Sequence, residues 1–162
     1  MPWQGFRDDQ LWTLEVDDLY KFNATGLDKL FKTFCTHKTT LRGPVYMKKA
    51  DAFKLLLACG LECKEQHVLT AYAMSKSTVA DEMKDYDKYN MMNYSEFLEF
   101  IGRLASLHYE DGARLESKIE RLLRLMLPVV NMPFFPVVLD EDIPSDSDCD
   151  DDWVDEISQS LL

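Results

Sequence analysis

The 162-residue chain is long enough for one compact domain with a sizeable core, and 46% hydrophobic and 12% aromatic residues are typical of a folded protein. Its formal net charge of −11 is concentrated in the tail, because ten acidic residues lie between Asp140 and Glu156 and no Lys or Arg follows Arg124. The remaining 29 − 10 = 19 acidic residues nearly balance the 18 basic ones. We therefore expect no nucleic-acid binding, which requires a basic surface.

Neither a disulfide framework nor a membrane span is predicted. The four cysteines lack the spacing of a secreted disulfide-rich domain, and the first ten residues have neither a basic leader nor an apolar core. The longest apolar run, from Leu125 to Leu139, is shorter than a membrane span and contains three prolines. We therefore expect a cytoplasmic protein with free thiols and no transmembrane helix.

Residues 1–22 are predicted to form an extended, aromatic-rich N-terminal arm. Aromatic and aliphatic residues are mixed there with acids and show little helical periodicity. An arm of this composition can lay its aromatic side chains on the protein's own core or on a partner, and we assign Trp3 and Trp12 as partner-binding residues.

Residues 23–127 are predicted to fold as one helical domain. Asn23 or Thr25 can cap a first helix, and Gly60 can end a second. A third helix covers residues 64–75, with one face formed by Val68, Ala71, Tyr72 and Ser75. Two further helices are indicated by apolar residues at helical spacing: Phe97, Phe100, Ile101, Leu104 and Leu107, then Leu115, Ile119, Leu122, Leu123 and Met126. No stretch shows the two-residue alternation of a half-buried strand, so the predicted fold class is all-α.

The sequence DYDKYNMMNYSE, residues 85–96, carries half of the pattern of a twelve-residue calcium-binding loop. Such a loop supplies oxygens from positions 1, 3, 5, 7, 9 and 12, and position 12 is a glutamate that gives two oxygens. In this register the candidate ligands are Asp85, Asp87, Met91 (through its carbonyl), Asn93 and Glu96. No cofactor is expected apart from calcium at this one weak site.

Two positions of this loop depart from the pattern. Tyr89 stands at position 5, where its phenol oxygen lies too far from the backbone to replace a carboxylate, and Asn90 replaces the glycine of position 6. The segment before the loop also lacks the paired aromatic residues of an entering helix. Two interpretations stay open: a site that binds calcium weakly, at about 10⁻⁴ M or above, or a pseudo-loop that keeps the shape without the metal.

A second loop, residues 40–51, is expected to bind no cation. With Asp51 at position 12, positions 1, 3 and 5 fall on Thr40, Arg42 and Pro44. These residues do not attract a divalent ion. Met47 in this loop and Met92 in the other take position 8, the apolar position that pairs two such loops back to back.

Residues from about Gly26 to Leu107 resemble the EF-hand family, on these loops and on a helix that carries Phe31 and Phe34 before the loop at residues 40–51. Within this stretch YSEFLEFIGRLA, followed by LESKIERLLRLML, is similar to the degenerate EF-hand pairs of ciliary and flagellar proteins. The resemblance implies a calmodulin-like helix-loop-helix pair with an extra C-terminal helix, acting as an axonemal or microtubule-associated scaffold.

Residues 128–162 are predicted to be a Pro-rich apolar segment followed by an acidic tail. The prolines favour an extended path, and Phe134 and Phe135 can pack either in a groove of the protein's own helices, which we favour, or on a partner. In the tail, Trp153 can anchor a basic partner surface. The apolar stripe that begins at Trp153 is too short for a helix that is stable alone.

No catalytic constellation is evident in the sequence, which has no Ser/His/Asp set, no glycine-rich phosphate loop and no paired carboxylates in an apolar setting. We predict a non-enzymatic structural or adaptor subunit that binds other proteins of a larger assembly, with the ciliary axoneme as the expected one. A calcium sensor that uses the loop at residues 85–96 is the first alternative. A transcriptional or signalling protein that uses the acidic, aromatic tail is the second.

Overall fold

The computed structural model describes residues 3–38, 43–77, 84 and 86–137, without the side chain of Trp3. Over these ranges the chain is mostly helical, which confirms the predicted helical class. The α-helices are α1 (Trp3–Phe6), α2 (Leu14–Phe22), α3 (Ala24–Phe34), α4 (Lys49–Ala58), α5 (Glu65–Ser75), α6 (Tyr94–His108) and α7 (Leu115–Met126). A short π-helix covers Arg7–Leu11, and 3₁₀-helices cover Tyr86–Asn90 and Leu127–Val130.

Three short strands form a small antiparallel sheet, in the order β1 (His37–Lys38), β2 (Val45–Lys48) and β3 (Met91–Met92). This sheet departs from the all-α expectation. Strands of two to four residues are too short to show alternation in the sequence. Their pairing also depends on residues that are distant in the chain, which local β-propensity does not reveal.

The N-terminal segment is helical and packed, which corrects the expectation of an extended arm. Thr13 caps α2, and its side chain accepts a hydrogen bond from the Val16 amide at 3.5 Å. Five residues of the segment belong to the main core: Phe6, Leu11, Val16, Leu19 and Tyr20. Their helical spacing is obscured in the sequence because exposed apolar residues surround them: Trp12, Leu14 and Phe22.

A buried ionic group fixes this segment to α6. Glu99 accepts hydrogen bonds from Arg7 Nε at 2.8 Å and from Arg103 Nε at 2.7 Å. Glu99 and Arg103 are both buried, so the partners of each charge are supplied by the protein. The Tyr20 hydroxyl adds a hydrogen bond to the Leu98 carbonyl at 2.9 Å. Residues 3–22 are thus part of the same packed body as α6.

The predicted helices of the central domain are confirmed with small shifts of their ends. The buried faces of α5, α6 and α7 are those expected, except that Leu107 is half-buried. Gly60 follows α4 with φ of +65°, a left-handed conformation that glycine adopts without a steric penalty.

The apolar segment packs along the protein's own surface as far as residue 137. Its inward side chains are Leu127, Val130, Met132, Phe134 and Val137. Asn23 fixes the path, since its side chain donates to the Phe135 carbonyl at 2.9 Å and accepts from the Phe135 amide at 2.8 Å. Gly26 permits the close approach, because a Cβ there would lie 2.8 Å from Leu127 Cδ2. Of the two predicted placements, these contacts favour the protein's own surface.

Within the described ranges, no helix combines the length and apolar character needed to cross a bilayer. The acidic tail, with Trp153, lies outside the described residues.

Candidate functional site

The two loops meet where β2 pairs with β3. Met47 of the loop at residues 40–51 lies opposite Met92 of the loop at residues 85–96, and both side chains are fully buried. The Tyr72 hydroxyl of α5 lies 3.3 Å from the Met47 carbonyl oxygen and 3.0 Å from the Asn90 carbonyl oxygen. The apolar pair and the shared hydroxyl fix the loops relative to each other.

Glu96, the third residue of α6, is buried, and both of its carboxylate oxygens accept hydrogen bonds. It stands three residues after the N-cap residue Asn93 in a reciprocal capping box. Glu96 Oε2 accepts from the Asn93 amide at 2.9 Å, and Asn93 Oδ1 accepts from the Glu96 amide at 2.9 Å. Glu96 Oε1 accepts from the Ser77 amide at 2.7 Å. A local pattern therefore places the carboxylate, and the residues that follow α5 close over it.

Lys76, the first residue after α5, supplies the positive charge of this site. Its Nζ lies 2.7 Å from Glu96 Oε2 and also donates a hydrogen bond to the Met91 carbonyl. The side chains of Lys76 and Glu96 are only 8% and 7% exposed. Two of the five predicted calcium ligands, Met91 and Glu96, thus converge on one cation, but that cation is an ammonium group of the protein itself.

The surroundings of Glu96 keep it ionised. Burial alone raises the pKa of the carboxyl, but hydrogen bonds from Lys76, Ser77 and Asn93, together with the charge of Lys76, outweigh burial. The net effect holds the pKa of Glu96 below its usual value of 4.5. At neutral pH the site is therefore a carboxylate–ammonium pair whose charges cancel.

Two of the predicted calcium ligands that the structure describes already use their side-chain oxygens in contacts within the protein. Glu96 is engaged by Lys76, and Asn93 is engaged in capping α6. Asp87 lies exposed in a 3₁₀-helix, and Asp85 lies outside the described residues. Among the described side chains, no group of three or more His, Cys, Asp and Glu is placed to hold a metal. A divalent ion at Met91 and Glu96 would first have to displace Lys76.

The loop at residues 40–51 closes in a similar way. Asp51, the third residue of α4, is buried, and its Oδ2 accepts from Thr36 Oγ1 at 2.7 Å, from the Lys48 amide at 3.0 Å and from the Thr36 amide at 3.3 Å. Thr36 follows α3 much as Ser77 follows α5. Each loop therefore ties the acid at the start of its second helix to residues that follow its first.

The structure places three of the five predicted partner-binding side chains. Trp12 is 47% exposed in the turn before α2, and Phe135 is 48% exposed near the other end of the described chain. Phe134 instead lies under the Arg124 guanidinium, whose carbon is 4.4 Å from the ring centroid, so a cation–π contact already holds it. The side chain of Trp3 and the whole of Trp153 lie outside the described residues.

Three residues of the site were not predicted from the sequence: Tyr72, Lys76 and Ser77. Lys76 precedes Glu96 by 20 positions, so no periodic pattern connects them. A usable signal was the position of Lys76, directly after the end of the predicted third helix.

The chain matches no protein-family model, and no curated protein or solved structure is significantly similar to it. The contacts described above are therefore what supports a functional proposal.

Proposed function

We propose that this protein is a non-enzymatic structural or adaptor module, a degenerate EF-hand-like pair in which Lys76 takes the place of calcium. The observation that carries the proposal is the contact of the Lys76 ammonium with both the Met91 carbonyl and the Glu96 carboxylate. Positions 7 and 12 of a calcium loop offer these same two ligands to the metal. An internal cation keeps the loop closed at every calcium concentration, so the module holds one shape.

The pairing of the loops supports the EF-hand-like interpretation. Met47 and Met92 both hold position 8 in the registers derived from the sequence, and they lie opposite each other. Asp51 and Glu96 both hold position 12, and each is the third residue of a helix. Each loop contributes one strand to the β2–β3 pair and joins two helices, α3 to α4 in one case and α5 to α6 in the other, with α7 as the additional helix.

A shape that does not depend on calcium suits a scaffold better than a switch. Large apolar residues lie exposed on several elements, among them Trp12, Leu14 and Phe135. Aromatic side chains such as those of Trp12 and Phe135 are enriched in the interfaces between proteins. We propose that these exposed residues bind other proteins of a larger assembly.

The resemblance of residues 94–127 to ciliary proteins makes the axoneme the proposed assembly. A tagged full-length copy should then concentrate along the cilium of a ciliated cell. A diffuse nuclear distribution would instead support the transcriptional or signalling alternative.

Calorimetric titration with calcium tests the replacement of the metal. We expect no binding heat from the wild type up to about 1 mM calcium, because a divalent ion must first expel a buried, hydrogen-bonded ammonium. Lys76→Met removes that ammonium, so this variant should gain calcium-dependent heat and a calcium-dependent rise in melting temperature. The double variant Lys76→Met/Glu96→Gln is the matched control and should show neither.

Micromolar binding by the wild type, lost in Glu96→Gln, would support the calcium-sensor alternative instead. This alternative is supported by the contact of the Met91 carbonyl and the Glu96 carboxylate with the same cation. Calcium there would expel Lys76 and release the residues that follow α5, which is the kind of local change that drives a switch.

A further inference from the structure

A groove with a volume of about 360 Å³ runs between α2, α7 and the last described residues of the chain. Its apolar lining consists of Leu14, Leu19, Pro136 and Val137. Leu19 is buried, whereas Leu14 at the mouth is 71% exposed. The groove therefore presents open apolar surface beside a closed apolar base, which is the character of a docking site.

The rim of the groove is acidic. Four carboxylates line it, two from each helix: Glu15, Asp18, Glu116 and Glu120. Arg114 is the basic residue among the lining side chains, so four acids against one base leave a formal charge of −3. Arg124, which pairs with Glu120 at 2.6 Å from outside the lining, reduces this excess to −2.

The acidic tail follows the groove residues closely in the sequence. Val137 lines the groove and is the last described residue, and the ten acidic residues of the tail begin three positions later, at Asp140. Charge tethered at this point adds to the negative potential of the rim.

Arg114 spans the rim through weak contacts. Its guanidinium lies 2.8 Å from Glu116 and 3.6 Å from Glu15, and its side chain is 74% exposed. Exposed ion pairs contribute little to stability. A basic residue of a partner can therefore take the place of Arg114 between the two helices at small cost.

We propose that this groove binds a Lys- and Arg-rich amphipathic helix of a partner protein. The apolar face of that helix packs on Leu14, Pro136 and Val137, and its basic flanks meet the carboxylates of α2 and α7. The inference rests on the proposed adaptor function, for which it names the docking surface and the chemistry of the partner.

Charge distinguishes this occupant from two others. The chain's own end, residues 153–162, has an apolar stripe, but it follows a run of acids that the acidic rim repels. A second copy docked through the same face would bring two acidic rims together. A basic segment complements the rim, and it also gains from the charge of the tail.

Fluorescence anisotropy with designed peptides tests the groove in the full-length protein. The probe is a helix of about 18 residues with Leu on one face and Lys or Arg on the other, and the control peptide has the same composition with Leu scattered around the helix. We expect the probe to bind at least about tenfold more tightly than the control peptide, a difference of about 1.4 kcal/mol.

Two protein variants test whether the groove causes the tighter binding of the probe peptide. Leu14→Asp should remove the tenfold difference, whereas Leu57→Asp, at a residue of α4 that is 82% exposed, should preserve it. Equal binding of both peptides by the wild type, or a preference that survives Leu14→Asp, would overturn the proposed groove.

Photo-crosslinking in cells then separates the groove from the adaptor function. A photoreactive residue at position 14 should capture a Lys- and Arg-rich segment of another protein, which mass spectrometry identifies, while the same residue at position 57 should not capture that segment. Capture of residues 153–162 or of a second copy from position 14 would overturn the proposed occupant. Partner capture from position 57 alone would overturn the groove and leave the adaptor function standing. No partner from either position would count against both.

Discussion

The Lys76 ammonium nitrogen lies 2.7 Å from Glu96 Oε2, and the two side chains are 8% and 7% exposed. Taking two such charges out of water costs several kcal/mol per ion, and only good geometry with further hydrogen bonds offsets that cost. Here the Met91 carbonyl accepts from Lys76, and the amides of Ser77 and Asn93 donate to Glu96. Each buried charge of the pair therefore has its partners within the protein.

Lys76→Met should lower the free energy of unfolding by roughly 3–5 kcal/mol in the presence of a chelator, because it leaves the buried Glu96 carboxylate without its counter-ion. Urea unfolding followed by circular dichroism measures this loss. Adding Glu96→Gln should recover part of it, since the neutral amide needs no counter-ion.

The matched control for this prediction is Lys32→Met. Lys32 also pairs with a carboxylate at 2.7 Å, that of Asp28, but its side chain is 62% exposed. Its loss should cost at most about 1 kcal/mol. Equal costs at Lys32 and Lys76 would contradict a structural role for the buried pair.

Protonation of Glu96 should lower the stability of the protein in acid. Since the folded-state pKa lies below the usual value of 4.5, ionised Glu96 contributes stability that is present above about pH 4.5 and is lost as the pH falls through the folded-state pKa. The difference in free energy of unfolding between the wild type and Glu96→Gln should therefore be constant near neutral pH and shrink below pH 4.5. A difference that stays constant on acidification would show that Glu96 is not the titrating group.

Gly102→Ala should destabilise the protein although alanine is the better helix former. A Cβ at this position of α6 would collide with Leu11 Cδ1 and lie 3.3 Å from the Tyr20 hydroxyl. Overpacking costs about 1–3 kcal/mol, which exceeds the gain of up to about 1 kcal/mol from helix propensity. Thermal unfolding should show a lower melting temperature for Gly102→Ala than for the wild type. Gly112→Ala should leave the melting temperature unchanged, because no atom lies within 4 Å of the added carbon. Equal melting temperatures for Gly102→Ala and the wild type would mean that the N-terminal helices do not pack on α6.

Asn23→Ala should loosen the segment at residues 132–137. The Phe135 amide and carbonyl both lose their partner on Asn23, at a cost of about 1–3 kcal/mol. Hydrogen exchange at the Phe135 amide should accelerate by about tenfold or more relative to amides in the middle of α6. Asn23→Asp retains the acceptor for the Phe135 amide and should accelerate exchange less. Unchanged exchange at Phe135 would show that this clamp does not hold the segment.

Local patterns in the sequence identified the helices of the central domain and half of the candidate site. The apolar faces of α5, α6 and α7 follow from residues three and four positions apart. The calcium-loop pattern also brought Asn93 and Glu96 together as candidate ligands, although it did not identify Asn93 as the cap of α6. The sequence also grouped Met91 with Glu96 as ligands of one cation. The identity of that cation was beyond its reach, because nothing local marks Lys76 as the partner of Glu96.

The sequence by itself determined which segments of the central domain are helical, since propensity, capping and apolar spacing act over a single turn. Only the tertiary structure decided that Lys76 closes the loop, that Met47 lies opposite Met92, and that Arg7 fixes the N-terminal helices to Glu99. Two of these contacts join residues 20 and 92 positions apart. They depend on which helix faces pack together, and burial then makes the pairing of each charge obligatory.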